Sequence, residues 1–312
     1  MNTLLRIFVL LLVVIASGTH AASSPAQAPP DDEWLVQPVD DATYRAFLQF
    51  FAYERDLPFN ERVGDTSVQE GIHAEHLVFQ STTGVDVYSR LYRPATSTGG
   101  EAPAVIFLPG AGVQGKDGGA LQRWGETVAR LGWTALVIDI LYFGERTSAD
   151  VPTFTREDRA EHLYNATSTF LAWNVQTVKD VSRSVDFLIA ERGVDPARVA
   201  VVGFSNGGAQ AAMAAAVDTR LAAVAMLVGG HYGGRHLAAA CVANYIGRIG
   251  QRPLLMINGE QDGIFEKEAS VAPLQRLVTS PHQFRWHPGG HTIEEEDRAV
   301  LLQWLREVLG AR

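Results

Sequence analysis

The 312-residue chain has a single cysteine, Cys241, and four methionines. One thiol cannot close an intramolecular disulfide, so stability has to come from a buried core. Basic charge is also scarce. Lys and Arg number 26 against 35 Asp and Glu, for a net charge of −9. With no basic cluster above that background, binding to nucleic acid or anionic lipid is excluded as the basis of function. The apolar run at the N-terminus, Ile7 to Ala16, has ten residues, whereas a membrane span needs about 20. The chain has no CxxC or HExxH pattern, so no metal site is expected, and there is no nucleotide-phosphate loop, internal repeat or second linker.

What is present begins with an export signal. Arg6 supplies a positive charge, Ile7 to Ala16 the apolar core, and Thr19 and Ala21 the small residues before cleavage. Residues 1–21 therefore read as a signal peptide, with an uncleaved anchor as the alternative. A secreted or periplasmic location follows, with no membrane attachment after cleavage. Cys241 lies far from the cleavage region, which excludes a lipid anchor there. Removing 1–21 takes away Arg6 and no acid, so −9 becomes −10. Residues 22–33, containing "SSPAQAPPDDE", form a flexible linker. Residues 34–312 suffice for one large domain, with 34–70 as an N-terminal extension. Asn165-Ala166-Thr167 is a glycosylation sequon in a eukaryotic host.

Periodicity predicts a short helix over 41–53, then an antiparallel pair, "AEHLVFQS" and "VDVYSRLYRP", joined at Thr83-Gly84. Strands and helices alternate from there. Strands are predicted over 102–110, 133–140, 197–205, 221–229, 252–259 and 282–288. Helices are predicted over 119–132, 168–192, 207–217, 235–249, 267–278 and 292–309. Strands that are apolar throughout are buried on both faces, and the helices between them are the crossovers that parallel pairing requires. The fold class is therefore α/β: a doubly wound, mostly parallel sheet with antiparallel strands at its N-terminal edge. Such sheets bind ligands at the carboxyl ends of their strands.

Four strand ends carry candidate groups. Gly203-Phe204-Ser205-Asn206-Gly207 puts a serine between glycines where an apolar strand meets an Ala-rich helix. Glycines there allow a sharp turn that exposes the hydroxyl. A serine needs a base, and a histidine base needs a carboxylate to orient it. Asp262 follows "LLMINGE" and His291 follows "FRWHPGG", in the order nucleophile, acid, base. Glu260 is the rival acid; His287 and His282 are the rival bases. The backbone N–H of Asn206 is one natural oxyanion donor; the second should come from the turn after the 102–109 strand, from Ala111 or, in reserve, Gly112. His231 and Tyr232 are candidates for the substrate pocket, and 147–167 for a partial lid. Asp139 reads as ordering its loop, Glu145 and Arg146 as an ion pair, and Cys241 as a buried apolar group. His73, His76, His162 and His236 read as surface or packing residues, and Glu294 to Asp297 as the first turn of a helix.

On these residues the chain resembles the α/β-hydrolase superfamily over 70–310. Within it, the chain is similar to the dienelactone-hydrolase-like and acetyl-xylan-esterase-like group, which shades into prolyl-oligopeptidase-type catalytic domains. The segments that carry the likeness are "YERDLPFNERV", "FLPGAG", "DILYFGER", "GFSNGG", "NGEQDGIF" and "PGGHT". "GFSNGG" also resembles secreted polyester depolymerases and feruloyl esterases. The resemblance implies hydrolysis of a small-molecule or saccharide-linked ester without metal or cofactor, with Ser205 as nucleophile, Asp262 as acid and His291 as base. True dienelactone hydrolases carry cysteine in the elbow, so Ser205 is a departure that argues against dienelactone as substrate. The chain also lacks room for a prolyl-oligopeptidase propeller. A peptidase or amidase using the same triad, and a non-catalytic binding protein on this fold, are the alternative readings.

Overall fold

The computed structural model describes residues 37–96, 101–234 and 236–310. The expected signal peptide and the linker lie outside them. Among the described residues, nine strands form one sheet, in the order β1-β2-β3-β5-β4-β6-β7-β8-β9. β1 (Arg62–Gln69), β2 (Ile72–Thr82) and β3 (Val85–Pro94) pair antiparallel, and β3 pairs antiparallel with β5 (Thr134–Ile138). β5, β4 (Ala104–Leu108), β6 (Val199–Phe204), β7 (Ala223–Leu227), β8 (Leu254–Gly259) and β9 (His282–His287) are parallel.

Among the described residues, eight α-helices accompany the sheet: α1 (Asp41–Leu48), α2 (Gly119–Arg130), α3 (Arg156–Arg159), α4 (Thr167–Arg192), α5 (Asn206–Val217), α6 (Ala243–Ile246), α7 (Ala272–Leu277) and α8 (Glu295–Leu309). β4 shows why the central strands are apolar throughout. Ala104, Ile106 and Leu108 join the core on one face of the sheet, Val105 and Phe107 the core on the other. Both faces are covered, and all five side chains are inaccessible. Each larger one contributes about 1.5–3 kcal/mol by burial. Val185 and Leu188 of α4 lie in the first core, while Leu301 and Leu305 of α8 lie in the second.

Three expectations require correction. β1 falls within the 34–70 extension, where no strand was expected. All eight of its residues are exposed, so no alternation of apolar and polar side chains marks it. The helix expected over 235–249 is broken: among the described residues only a 3₁₀ turn, Ala238–Ala240, and α6 are helical. Its alanines and apolar residues mimic helical spacing while filling the core as irregular chain. The helix expected over 41–53 ends at Leu48 and passes into a 3₁₀ turn through Phe51. The rest of the extension is tied down by Arg183 of α4. Its guanidinium donates to the carbonyls of Arg55, Leu57 and Gln80 and lies 3.9 Å above the Phe59 ring.

Candidate active site

The chain leaves β4 and β6, neighbours in the sheet, toward the same cleft, because β5 lies beyond β4 on the other side. β6 passes into α5 through Ser205, whose backbone sits at φ 55° and ψ −122°. A non-glycine residue is strained there, and it persists only where its surroundings over-determine it. The surroundings are backbone. A Cβ at Gly203 would come within 1.9 Å of the Gly207 carbonyl oxygen, and one at Gly207 within 2.4 Å of the Pro109 oxygen. The Ser205 N–H donates to Leu227 O at 2.8 Å, and its carbonyl accepts from Gly208 N at 2.9 Å.

The turns after β8 and β9 are bonded to each other. Glu260 N donates to His287 O at 2.8 Å, and Gln261 N to Gly289 O at 3.0 Å. This brings Asp262 against His291. One carboxylate oxygen of buried Asp262 accepts from the N–H groups of Ile264 (2.8 Å) and Phe265 (3.0 Å). The other lies 2.7 Å from His291 Nδ1. His291 Nε2 is 2.9 Å from Ser205 Oγ. A carboxylate at Nδ1 favours a proton on that nitrogen and leaves Nε2 as the acceptor for the hydroxyl.

The rivals lie elsewhere. Glu260 is exposed and pairs with Lys267 at 3.4 Å. His287 is buried, accepts from Gly289 N at 3.1 Å and lies 3.8 Å from Asp297. His282 stacks on Phe284 at the outer strand. Burial pushes the Cys241 thiol up to about 12, so it is not a competing nucleophile.

After β4, the loop Pro109–Gly115 borders the serine. The Gly112 N–H, the reserve oxyanion donor, is engaged by Gly110 O at 2.8 Å. Among the described residues, no hydrogen bond is made by the Ala111 N–H. The Ala111 carbonyl accepts from Arg159 Nη1 at 3.2 Å. Farther along, fully buried Lys116 anchors the loop to the end of β5. Asp139 accepts from Lys116 N (2.6 Å), Lys116 Nζ (3.2 Å) and Glu145 N (3.0 Å). Burial pushes the Asp139 carboxyl above its usual range, with Lys116 the main opposing influence. Glu145 and Arg146 do not pair with each other. Glu145 bonds Lys116 and His76, whereas Arg146 reaches buried Asp180 of α4. A carboxylate and a guanidinium adjacent in sequence are drawn apart by partners on different elements.

A cleft of about 1110 Å³ opens over Ser205 and His291. His231 and Tyr232 both line it, as do Phe154, Arg159 and Tyr164 from the 147–167 segment. Tyr164 stacks on Tyr232 with ring centroids 4.4 Å apart, and Phe265 packs edge-on to Tyr232 at 4.8 Å. The part played by Arg159 and Lys116 escaped sequence reasoning. A lone lysine after the glycine-rich turn in "GAGVQGKDGG" was the available signal for Lys116; nothing local marks Arg159.

The profile of the dienelactone hydrolase family matches residues 88–302. The chain belongs to that family. Membership places it among hydrolases acting on esters. Comparison with curated proteins finds no match. Among solved structures, acetyl xylan esterase 1 from Thermoanaerobacterium sp. JW/SL YS485 is similar at 17% identity and a TM-score of 0.69, covering 87% of this chain and 95% of its own. An acetyl xylan esterase from Paenibacillus sp. R4 is similar at 19% identity and 0.67, covering 90% and 100%. Methylesterase BT1017 follows at 16% and 0.60, covering 90% and 68%. At these identities the likeness is one of fold, a mostly parallel sheet with antiparallel strands at its N-terminal edge, the class the sequence predicts. Among the described residues, no helix is long and apolar enough to cross a membrane.

Proposed function

We propose that this chain is an exported serine hydrolase that cleaves carboxylic esters through an acyl-enzyme. The observation that carries the reading is the hydrogen-bonded line from Ser205 Oγ through His291 to Asp262, at a strained elbow facing the cleft. Ser205 Oγ attacks the carbonyl carbon as its proton passes to His291 Nε2. Asp262, already desolvated and bonded, stabilises the imidazolium that results. His291 then gives that proton to the departing alkoxide as the ester C–O bond breaks. A water molecule attacks the acyl carbon, its proton moves to His291 and back to Ser205, and the acid leaves. The N–H groups of Asn206 and Ala111 receive the oxyanion, each contributing roughly 2.7–4 kcal/mol to the transition state.

The breadth of the cleft suits small-molecule esters and esters borne on a saccharide, and the similarity to acetyl xylan esterases supports that class. Export rests on the composition of residues 1–21. The 147–167 segment forms one wall of the site and serves as its partial lid. The test is hydrolysis of p-nitrophenyl esters of increasing chain length by the mature protein and by Ser205→Ala. Turnover should fall roughly 10⁶-fold in the variant. Activity that survives the substitution would refute Ser205 as nucleophile. A folded wild type that cleaves a matched amide but no ester would turn the reading to an amidase.

A further inference from the structure

Beyond β7 the chain carries three metal-binding residue types at equal intervals: His231, His236 and Cys241. One donor atom from each lies within 4.8 Å of the others. His231 Nδ1 and Cys241 Sγ are already 3.7 Å apart. Zinc bonds of about 2.0–2.1 Å to nitrogen and about 2.3 Å to sulfur, at tetrahedral angles, set donors roughly 3.3–3.6 Å from one another. One pair therefore stands close to the required spacing, and rotation of the half-buried His236 ring by about 1 Å closes the remainder.

The surroundings fit an ion as well as the spacing does. His231 and Cys241 are buried. Ser270 Oγ donates to the His231 carbonyl at 2.7 Å and fixes that residue's backbone. A void of about 10 Å³ borders His231, His236 and Ala240, of the size that holds a single water. Two imidazoles and a thiolate, soft and borderline donors with no carboxylate, select zinc over magnesium or calcium.

The geometry points to a zinc site formed by His231, His236 and Cys241 in the wall of the cleft. The ion replaces the thiol proton, which leaves to solvent. Three protein ligands leave the fourth position to water. The site ties His231, His236 and Cys241 together next to Tyr232, so zinc stabilises the wall on which the stacked tyrosines rest. Its role is structural, because the proposed ester chemistry runs through Ser205, His291 and Asp262, none of which is among its ligands.

Cobalt(II) tests this directly, because the chain has one cysteine. Titrating the chelator-treated full chain with cobalt(II) should produce a thiolate-to-metal charge-transfer band that saturates at one equivalent and disappears when zinc is added. Only Cys241 can give that band. His236→Gln should weaken cobalt binding by at least roughly tenfold, and Cys241→Ser should abolish the band. Zinc should raise the melting temperature of the wild type and of neither variant. A folded wild type that shows no charge-transfer band, or binds metal without one, overturns the site. So does a band of unchanged affinity in His236→Gln, a test that stands even if Cys241→Ser fails to fold.

Discussion

The two turns that meet at Ser205 are held by different balances of sterics and charge. In the elbow after β6, backbone presses on backbone: Gly203 and Gly207 have no room for a Cβ, and the serine is forced to positive φ. The loop after β4 has one comparable position, Gly115 at φ 49°, where a Cβ would come within 2.1 Å of Asp139 Oδ1 and 2.7 Å of Gly144 Cα, and the rest of its hold is ionic. It is held by a buried ammonium, a buried carboxylate and a guanidinium, all supplied or answered by distant elements. On the proposed function, a turn that points a nucleophile gains from steric rigidity, while a loop that receives an oxyanion can be held by charge and is correspondingly exposed to mutation at a distance.

The comparison can be broken at several points. The largest effect is expected where both turns deliver their chemistry. Asp262→Asn should lower kcat by about 10⁴-fold while the protein stays folded, as read by ester turnover and circular dichroism. A loss below tenfold would remove Asp262 from the relay. At the elbow, Gly203→Ala should cost at least about 4 kcal/mol, because the intruding methyl meets a carbonyl that cannot withdraw. Denaturant melts measure this, and a near-neutral result would disprove the steric account.

At the loop, Asp139→Asn leaves the buried Lys116 charge without its main partner and should cost about 3 kcal/mol. Turnover should drop with it. The sharper experiment pairs Lys116→Met with Asp139→Leu. Replacing both charges with apolar groups should restore much of the stability while turnover stays low. Recovery of full activity would show that charge is not what positions the loop. The smallest effect is expected at Arg159→Gln, which removes the bond to the Ala111 carbonyl and should lower kcat by roughly tenfold or less, with stability nearly unchanged.

How much of this was readable in the sequence depends on how local each cause is. Five of the six parallel strands, β4 to β8, were legible because burial on both faces demands uninterrupted apolar runs, as in "AVIFL" and "VAVVGF". β1 was not, because its own residues are all exposed and it is held to β2 by backbone hydrogen bonds, which leave no side-chain pattern. The acidic start of α8 was legible for the converse reason. Glu294 and Asp297 cap the helix reciprocally, within four residues.

By itself the sequence determined the fold class, the elbow and the strand ends at which chemistry should be sought. These follow from local causes: glycine sterics, apolar periodicity, and the rule that parallel strands present their carboxyl ends together. Only the tertiary structure decided among the rivals. It set Asp262 rather than Glu260 beside His291, engaged the Gly112 N–H while that of Ala111 makes no hydrogen bond among the described residues, and brought Arg159 onto the loop. It also gathered His231, His236 and Cys241 around one point. Each of these is a distance between side chains or turns set by how elements pack, and sequence spacing does not encode such distances until the chain has folded.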